Sequence, residues 1–448
     1  MTFARYSKYK AVDVPWIQEI PSHWGFQSIK SILVERIEKN SPIKTKDILS
    51  LTMDRGVIPY AERGGGGNKA KEDISSYKLA YPGDIVLNSM NVVAGSVGLS
   101  KYFGAVSPVY YMLYARNADV NIGYYDKIFS STVFQRSLLG LGNGILMKET
   151  ELSGKLNTIR LKIPIDKLNI QYLPLPPVDE QMKISGFLEE INFKVNKLIQ
   201  KQEKLISLLM EKRQALISNY ITRGIYKNTP LKESNVEWYG EIPAHWEVTK
   251  FKFLLNESLQ YGANESGDAG QEGWPRYIRI TDIDSDGNLK NESIKTLNPE
   301  LAAPYILKHG DILFARSGGT VGKSFIFDGA YGESCFAGYL IKASVDSTRI
   351  LPEYLKYITE SHMYWEYILG TQSQSTIQNV SAEKYARLPI PLPTIDEQHV
   401  ICKKLDAVCN KMNELVSKSK ESVSLLQEHR ASLISAAVTG KIDVRELA

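Results

Sequence analysis

The chain of 448 residues contains an internal duplication, and this limits its fold more than any other feature. The block VPWIQEIPSHW at 14–24 returns as VEWYGEIPAHW at 236–246, with Trp, Glu-Ile-Pro and His-Trp in register. A second block, PLPPVDEQMKI at 174–184, returns as PLPTIDEQHVI at 391–401. Repeats of this kind predict two similar globular parts with similar cores.

Each repeat is predicted to end in a long helix. The prolines before the Asp-Glu-Gln segments cannot continue inside a helix, whereas Asp179 and Asp396 can each cap one. Glu180 and Glu397 then fall in the first turn, where the helix dipole favours acidic side chains. We therefore predict helices at 179–220 and 396–436.

Apolar residues follow both helix starts at alternating steps of four and three, the 3.5-residue repeat of a coiled coil. The simplest partner for each stripe is the other helix, paired antiparallel. Polar residues interrupt both stripes at matching points, and they either fix the register or mark a loose, solvated seam. The predicted seam is Ile184, Leu188, Ile191, Val195, Leu198, Gln202, Leu205, Leu209, Lys212 and Leu216 with Ile401, Leu405, Val408, Met412, Leu415, Ser419, Ser422, Leu426, His429 and Leu433.

The globular parts have the composition of mixed α/β (α+β) domains, since short apolar runs alternate with Gly, Asn, Asp and Ser turns. The predicted fold is two tandem-repeat globular domains separated by two long helices that form an antiparallel coiled coil. The predicted boundaries are 1–175 and 227–390 for the globular domains, with 176–226 and 391–448 for the helices.

The segment ARSGGTVGKS at 315–324 resembles a phosphate-binding P-loop, but the match is incomplete. The pattern requires a glycine five residues before Gly322, and Ser317 stands there. A P-loop must also open a helix, whereas SFIFD predicts a strand. The sister block at 82–100 shares Gly-Asp-Ile and Val-Gly but has Leu99 in place of Lys323. A β-hairpin that recurs in both repeats is the better interpretation.

Composition narrows the function classes. The net charge of +4 excludes a polycation, so any contact with nucleic acid must come from local patches. Three cysteines without a C-x-x-C spacing favour a reducing, cytoplasmic location. There is no run of eighteen apolar residues, so no membrane contact is expected.

We find no catalytic constellation in the sequence. Zinc-protease, Cys/His metal and Gly-x-Ser-x-Gly patterns are absent. The only Pro-Pro, Pro176-Pro177, is followed by Val178, which departs from the Asn/Asp-Pro-Pro-aromatic motif of DNA methyltransferases. We expect a protein that is not an enzyme and that has no metal or cofactor of its own.

Two similar domains suggest two similar ligands, or one ligand with two separated subsites, and double-stranded DNA fits the second case. Polar clusters rich in Asn, Gln, Ser and Arg supply the side chains that contact bases and phosphates. The glycine-rich stretch at 62–71 is either a mobile surface insert or a phosphate-contacting loop. The candidate DNA-binding residues are Asn88, Ser89, Asn91, Ser96, Lys69, Arg276, Arg279, Arg316, Ser317, Thr320, Lys323, Gln372, Gln374 and Gln378.

Taken together, these blocks resemble the specificity subunit of type I restriction-modification systems. The resemblance rests on the twin W-x-x-E-I-P-x-H-W openings, the Gly-Asp-Ile hairpins and the twin P-L-P-x-x-D-E-Q helix starts. It covers essentially the whole chain, and the helix-start blocks are its most specific part.

The resemblance implies two target recognition domains, each contacting one half of a split DNA site, and a helical spacer that sets the gap. It implies two modification subunits as partners, which would carry adenine methylation with S-adenosylmethionine, and restriction subunits that use ATP and Mg²⁺. A self-contained nuclease and a coiled-coil scaffold without DNA specificity remain alternatives. The helix residues expected to form the coiled coil and to dock these partners are Leu188, Ile191, Val195, Leu198, Leu205, Leu209, Leu405, Val408, Met412, Leu415, Leu426 and Leu433.

Overall fold

The computed structural model describes most of the chain, with the backbone alone at 145–149 and 156–160. The described residues are 3–53, 55–64, 69–149, 156–226, 228–284, 289–290, 294–371 and 379–447. They divide into two compact units: unit 1 contains 1–203 and 420–448, and unit 2 contains 204–419. Each unit thus combines one globular repeat with parts of both long helices. The three predicted domain boundaries, at 175, 226 and 390, stay a prediction.

Unit 1 is built from short strands and short helices. Its strands are β1 (Tyr9–Val14), β2 (Ile17–Pro21), β3 (Gly25–Ser28), β4 (Leu33–Arg36), β5 (Leu49–Thr52), β6 (Gly56–Pro59), β7 (Lys78–Ala80), β8 (Ile85–Asn88), β9 (Val97–Leu99), β10 (Gly104–Val106), β11 (Tyr110–Ala115), β12 (Asn143–Glu149), β13 (Leu156–Lys162) and β14 (Tyr172–Leu175). Its helices are α1 (Ile29–Ile32), α2 (Ile122–Ser130), α3 (Thr132–Ser137), α4 (Ile165–Asn169) and the first part of α5 (Val178–Arg223). Short 3₁₀ turns occur at Tyr60–Glu62, Val92–Ala94 and Leu139–Leu141.

The main sheet of unit 1 has four antiparallel strands in the order β4-β11-β8-β9. Strand β11 lies in the centre, because Met112 pairs with Arg36 on one side and with Val86 on the other. Hairpin β8–β9 therefore lies at one edge of the sheet. The other strands form two-stranded ladders, β1-β2, β3-β14, β5-β6, β7-β10 and β12-β13.

Unit 2 repeats this plan with additions. Its strands are β15 (Leu231–Glu233), β16 (Glu241–Pro243), β17 (Glu247–Lys250), β18 (Gln260–Tyr261), β19 (Asp268–Ala269), β20 (Arg276–Ile278), β21 (Lys295–Thr296), β22 (Ile312–Ala315), β23 (Ser324–Ile326), β24 (Ser334–Phe336), β25 (Leu340–Ala343) and β26 (Pro389–Leu392). Its helices are α6 (Pro299–Ala302), α7 (Pro352–Glu360), α8 (His362–Thr371), α9 (Ala382–Ala386) and the first part of α10 (Ile395–Val438). Its 3₁₀ turns are Phe251–Leu254, Ile280–Asp282, Ala303–Tyr305 and Gly318–Thr320.

The main sheet of unit 2, β18-β25-β22-β23, is antiparallel and matches that of unit 1, with hairpin β22–β23 at the edge. A second four-stranded sheet, β19-β21-β20-β24, has no counterpart of that size in the described part of unit 1. It contains one parallel pair, β20 with β24. The two units therefore share a frame and differ in what is added to it.

A buried aspartate fixes the turn before each edge hairpin and accounts for the repeated Gly-Asp-Ile. The Asp84 carboxylate is 1% exposed and accepts hydrogen bonds from Arg36 Nε at 2.8 Å and from the Tyr81 amide at 2.9 Å. Asp311 is 3% exposed and accepts a hydrogen bond from the Lys308 amide at 2.8 Å. Burial raises the pKa of the Asp311 carboxyl. Both aspartates accept the amide that closes the turn. Within the described residues, only Asp84 also has a guanidinium partner.

The long helices confirm the predicted fold, and each starts one residue earlier than predicted. Helix α5 begins at Val178 and α10 at Ile395, so Asp179 and Asp396 lie in the first turn and are not the caps. The Thr394 hydroxyl accepts from the Glu397 amide at 3.4 Å, and the Pro177 carbonyl accepts from the Gln181 amide at 3.0 Å. Residues 177 and 394 therefore stand at the cap positions, where Pro177 contributes its carbonyl and Thr394 its hydroxyl.

Within each unit the two helix segments pack antiparallel. In unit 1, the Lys183 side chain donates to the carbonyl of Arg445, and the Arg430 side chain donates to the side chain of Asn196. The contacts run forward along α5 and backward along the C-terminal part of the chain, as an antiparallel pair requires. In unit 2, Ile217 and Ile221 of α5 share a core with Ile401, Leu405 and Cys409 of α10.

The seam differs from the predicted heptad at particular positions. The next buried residue after Val195 is Ile199, a spacing of four residues, whereas the heptad requires a spacing of three at this point. The predicted seam residue Leu198 is therefore 47% exposed. The average step then approaches the 3.6 residues of a straight helix, which drifts away from a strict 3.5-residue repeat. Leu205 and Leu415, 44% and 43% exposed, lie beside the buried seam for the same reason, and their role in partner docking stays a prediction. Leu188, Val195, Leu405, Met412 and Leu433 are buried, and Ile191, Leu209, Val408 and Leu426 are partly buried.

The predicted polar seam position at Lys212 and His429 is also shifted by one residue. Both side chains are exposed, whereas Arg213 and Arg430 beside them are partly buried. Arg213 pairs with Glu360 at 2.5 Å in unit 2, and Arg430 donates to the Asn196 side chain at 2.7 Å in unit 1. Of the other predicted polar positions, Ser419 is buried and Gln202 partly buried.

Candidate nucleic-acid interface

The segment 315–324 forms the corner of an edge hairpin. It leaves β22, makes the 3₁₀ turn Gly318–Thr320 and continues directly into β23, which confirms the predicted strand. The amides of Val321, Gly322 and Lys323 bond to carbonyls within the corner. A phosphate cradle needs free amides at the start of a helix, so the corner is not built as a P-loop. The equivalent corner of unit 1, between β8 and β9, also contains a 3₁₀ turn.

The candidates of unit 1 divide by burial. Ser89 and Ser96 are 1% and 5% exposed, which argues against direct DNA contact by these side chains. Asn88 and Asn91 are partly buried at the corner, and the Asn88 side chain accepts from the Met90 amide at 3.1 Å. Lys69 is exposed. DNA contact by these residues stays a prediction.

Two arginines of unit 2 are held by internal contacts. Arg276 is 9% exposed, donates to the Lys290 carbonyl at 2.5 Å and lies over the Tyr331 ring. Arg279 makes a two-point contact with the Asp282 carboxylate, at 2.7 and 3.0 Å. These internal contacts suit a structural role for both side chains. DNA contact by Arg276 and Arg279 stays a prediction.

The remaining candidates lie on the edge hairpin or beyond the described chain. Arg316, Ser317, Thr320 and Lys323 are partly exposed at one corner. Gln372, Gln374 and Gln378 lie outside the described residues.

Sequence reasoning missed three residues next to Arg316. The Arg316 guanidinium lies 4.7 Å from the centre of the Tyr261 ring, and the Arg316 amide donates to the Tyr339 carbonyl at 3.0 Å. Ser317 forms a β-bridge with Asn379, the last residue of the polar stretch GTQSQSTIQN at 370–379. Asn379 thus had a compositional signal. Tyr261, in β18, and Tyr339, in the turn before β25, had none.

The repeated His-Trp and Asp-Glu-Gln blocks meet in space, which explains why both recur. His23 Nε2 lies 2.9 Å from a Glu180 carboxylate oxygen, and His245 Nε2 lies 2.9 Å from Glu397. In unit 2 the Trp246 indole also donates to Glu397, at 3.0 Å. These contacts tie the start of each long helix to the globular part of its unit.

The glutamine of each block is a second internal tie. Gln181 is fully buried, donates to the carbonyls of Asp119 and Pro176 and accepts from the Asn121 amide at 2.8 Å. Gln398 does the same with Arg349, Pro393 and the Leu351 amide. In both units this tie holds the start of an earlier helix, α2 in unit 1 and α7 in unit 2. The most specific sequence motif is therefore structural.

The described residues contain no group of three or more His, Cys, Asp or Glu side chains arranged to hold a metal ion. No helix among them is long and apolar enough to cross a membrane. The cysteines Cys335, Cys402 and Cys409 are free and buried.

Comparison with known proteins gives a consistent result. Residues 252–425 match the family model of the type I restriction modification DNA specificity domain. The chain is 25% identical over 287 residues to the specificity subunit of the type I restriction enzyme MjaVIII of Methanocaldococcus jannaschii, covering 61% of this chain and 63% of that protein. It is also 25% identical over 449 residues to the putative MjaX specificity subunit of the same organism, covering 96% of each.

The fold agrees with these similarities. A solved chain from structural work on assembly and conformational transition of the type I R-M system superimposes with a TM-score of 0.67. The match covers 94% of this chain and 99% of that chain at 14% identity, so it bears on the fold alone. The chain spans less than two thirds of the MjaVIII subunit but nearly all of the MjaX subunit. The duplicated frame, the match of residues 252–425 and the fold together make the chain similar to type I restriction-modification specificity subunits.

Proposed function

We propose that this chain is the DNA-recognition subunit of a type I restriction-modification complex and that each repeat contacts one half of a split double-stranded site. The observation that carries the proposal is the duplicated edge hairpin. Both units present the same corner on the same kind of sheet, yet the side chains at the corner differ. Two equal frames with different polar side chains suit a ligand with two different half-sites.

The long helices set the distance between the half-sites and dock two modification subunits. Leu198, Leu205 and Leu415 remain exposed although they lie among seam residues, and exposed leucines on a helix suit contact with another protein. The partners supply adenine methylation with S-adenosylmethionine, and restriction subunits supply ATP- and Mg²⁺-dependent steps. The chain itself binds and positions DNA without catalysis, in the cytoplasm.

The proposal is tested by selection from a randomised duplex pool, with the full chain co-expressed with its modification subunit. We expect enrichment of two short motifs at a fixed separation. Retention that depends on salt but not on sequence would instead favour a scaffold without specificity. Metal-dependent cutting by the chain alone would favour a nuclease.

A deletion tests the spacer role directly. Removal of seven residues from each helix, 203–209 and 417–423, shortens each by about 10 Å and leaves the buried stripe nearly in line. We expect the gap between the two motifs to shrink by about three base pairs, with both motifs unchanged. The matched control removes five residues from each helix, which rotates the stripe out of line, and should abolish selection. An unchanged gap after the seven-residue deletion would contradict the spacer role.

A further inference from the structure

The backbone around Arg316 is fixed from three sides. Its amide donates to the Tyr339 carbonyl at 3.0 Å, and its carbonyl accepts from the Val380 amide at 2.8 Å. The preceding carbonyl, that of Ala315, accepts from the Tyr385 hydroxyl at 2.9 Å. A side chain on so constrained a backbone can be placed accurately against a ligand.

Two exposed aromatic residues neighbour Arg316, Tyr261 at its side chain and Tyr339 at its backbone. The guanidinium lies over the Tyr261 ring, and the Tyr261 hydroxyl accepts from the Ala382 amide at 3.0 Å, so that ring is itself held. Tyr261 is 40% exposed and Tyr339 is 64% exposed. Exposed aromatic rings beside an arginine are typical of binding surfaces. We name Arg316, Tyr261, Tyr339 and Asn379 the Arg316 corner.

Two polar atoms of the Arg316 corner are buried without a hydrogen-bond partner in the described chain, Arg316 Nε and Asn379 Oδ1. Arg316 Nε is a donor and Asn379 Oδ1 is an acceptor. The two residues are close along the backbone, because Arg316 precedes Ser317, which forms a β-bridge with Asn379. Unsatisfied buried polar groups cost free energy and call for an explanation in function. A small rearrangement that pairs the two would orient the guanidinium.

We propose that Arg316 contacts a guanine in the half-site bound by unit 2, with Tyr261 and Asn379 as positioning residues and Tyr339 against an adjacent nucleotide. This rests on the proposed function. The guanidinium fork matches guanine O6 and N7 in the major groove, and this two-point contact distinguishes guanine from the other bases. A lysine has the charge but lacks the planar fork.

Unit 1 carries different side chains at the equivalent corner. Ser89 occupies the place of Arg316, because its carbonyl accepts from the Ile163 amide at 2.9 Å as that of Arg316 accepts from Val380. Ser89 is 1% exposed, and Lys162, at the place of Asn379, is exposed. The guanine contact is therefore specific to unit 2, and substitutions at Arg316 should alter one half-site only.

The test is duplex selection with the full chain and its modification subunit, comparing wild type with Arg316→Lys and Arg316→Gln. We expect both variants to lose roughly ten- to a hundredfold of the preference for one G·C pair in one motif, with the other motif unchanged. Tyr261→Leu and Asn379→Ala should lower the preference at the same base pair by a smaller factor. The matched control is Arg387→Gln, which removes an exposed charge of unit 2 paired with Glu383 and should leave both motifs intact.

The outcomes separate the two proposals. If wild type selects two motifs and Arg316→Lys selects the same ones, the guanine contact is wrong and the proposed function stands. If Arg316→Gln weakens binding equally for all sequences, Arg316 contacts phosphate and not a base. If wild type selects no motif, the proposed function fails and the guanine contact with it.

Discussion

The two units use the same residues to build their frames and different residues at the corners of their edge hairpins. Both have a buried Trp beside a His–Glu contact, a buried Gln that ties the helix start and an aspartate before the hairpin. At the corner, unit 1 has a buried serine and an exposed lysine where unit 2 has Arg316 and Asn379. The comparison teaches that repetition in this chain marks structure, whereas divergence between repeats marks the candidate binding surface.

Equivalent residues of the shared frame make different polar contacts in the two units. Asp84 has a guanidinium partner, whereas Asp311 accepts a backbone amide and has a pKa raised by burial. The Trp246 indole donates to Glu397, whereas the Trp24 indole nitrogen is buried and has no partner among the described residues. Arg213 faces a carboxylate, and Arg430 faces an amide. These three differences can be tested in turn.

The largest expected effect is the difference in unfolding free energy lost by Asp84→Asn and by Asp311→Asn. We expect Asp84→Asn to lower the free energy of unfolding of unit 1 by about 3 kcal/mol, because Arg36 loses a buried ionic partner. Asp311→Asn keeps an oxygen for the Lys308 amide and should cost unit 2 less than about 1 kcal/mol at pH 7. Denaturant-dependent amide hydrogen exchange, assigned to each unit, measures both.

The same aspartates should respond differently to pH. Because the folded pKa of Asp311 is raised, the folded state holds the proton more tightly, and this stabilisation is present at low pH and lost as pH rises through that pKa. Asp311→Asn should therefore cost more stability near pH 4 than at pH 7. A cost that is equal at both pH values, or greater at pH 7, would contradict this.

A smaller effect should distinguish the two buried tryptophans. Trp24→Phe and Trp246→Phe remove the same volume, but only the second removes a hydrogen bond to a carboxylate in the described structure. We expect Trp246→Phe to cost about 1.5 kcal/mol more than Trp24→Phe. Equal losses, measured by the same exchange experiment, would show that Trp24 has an equivalent partner such as a bound water.

The smallest effect is a gain. Ser130 ends α2 as Glu360 ends α7, so Ser130→Glu should give Arg430 the acidic partner that Arg213 already has. Burial lowers the pKa of Arg430, because it disfavours the charged guanidinium. An adjacent carboxylate should offset part of this destabilisation of the charged form. We expect unit 1 to gain about 0.5 kcal/mol, with Ser130→Gln as the neutral control. A gain of the same size from Ser130→Gln would exclude an ionic cause.

The sequence by itself determined the duplication, the two long helices to within one residue at their starts, and the edge hairpin at 315–324. These follow from proline, aspartate and glycine positions and from apolar periodicity, which act locally along the chain. The tertiary structure alone decided that Ser89, Ser96 and Arg276 are buried, and that Leu198 is exposed one residue from the seam. Burial depends on what packs against a side chain, and those neighbours are far away in sequence. The same reason explains why Tyr261 and Tyr339 could be joined to Arg316 only once the strands were placed side by side.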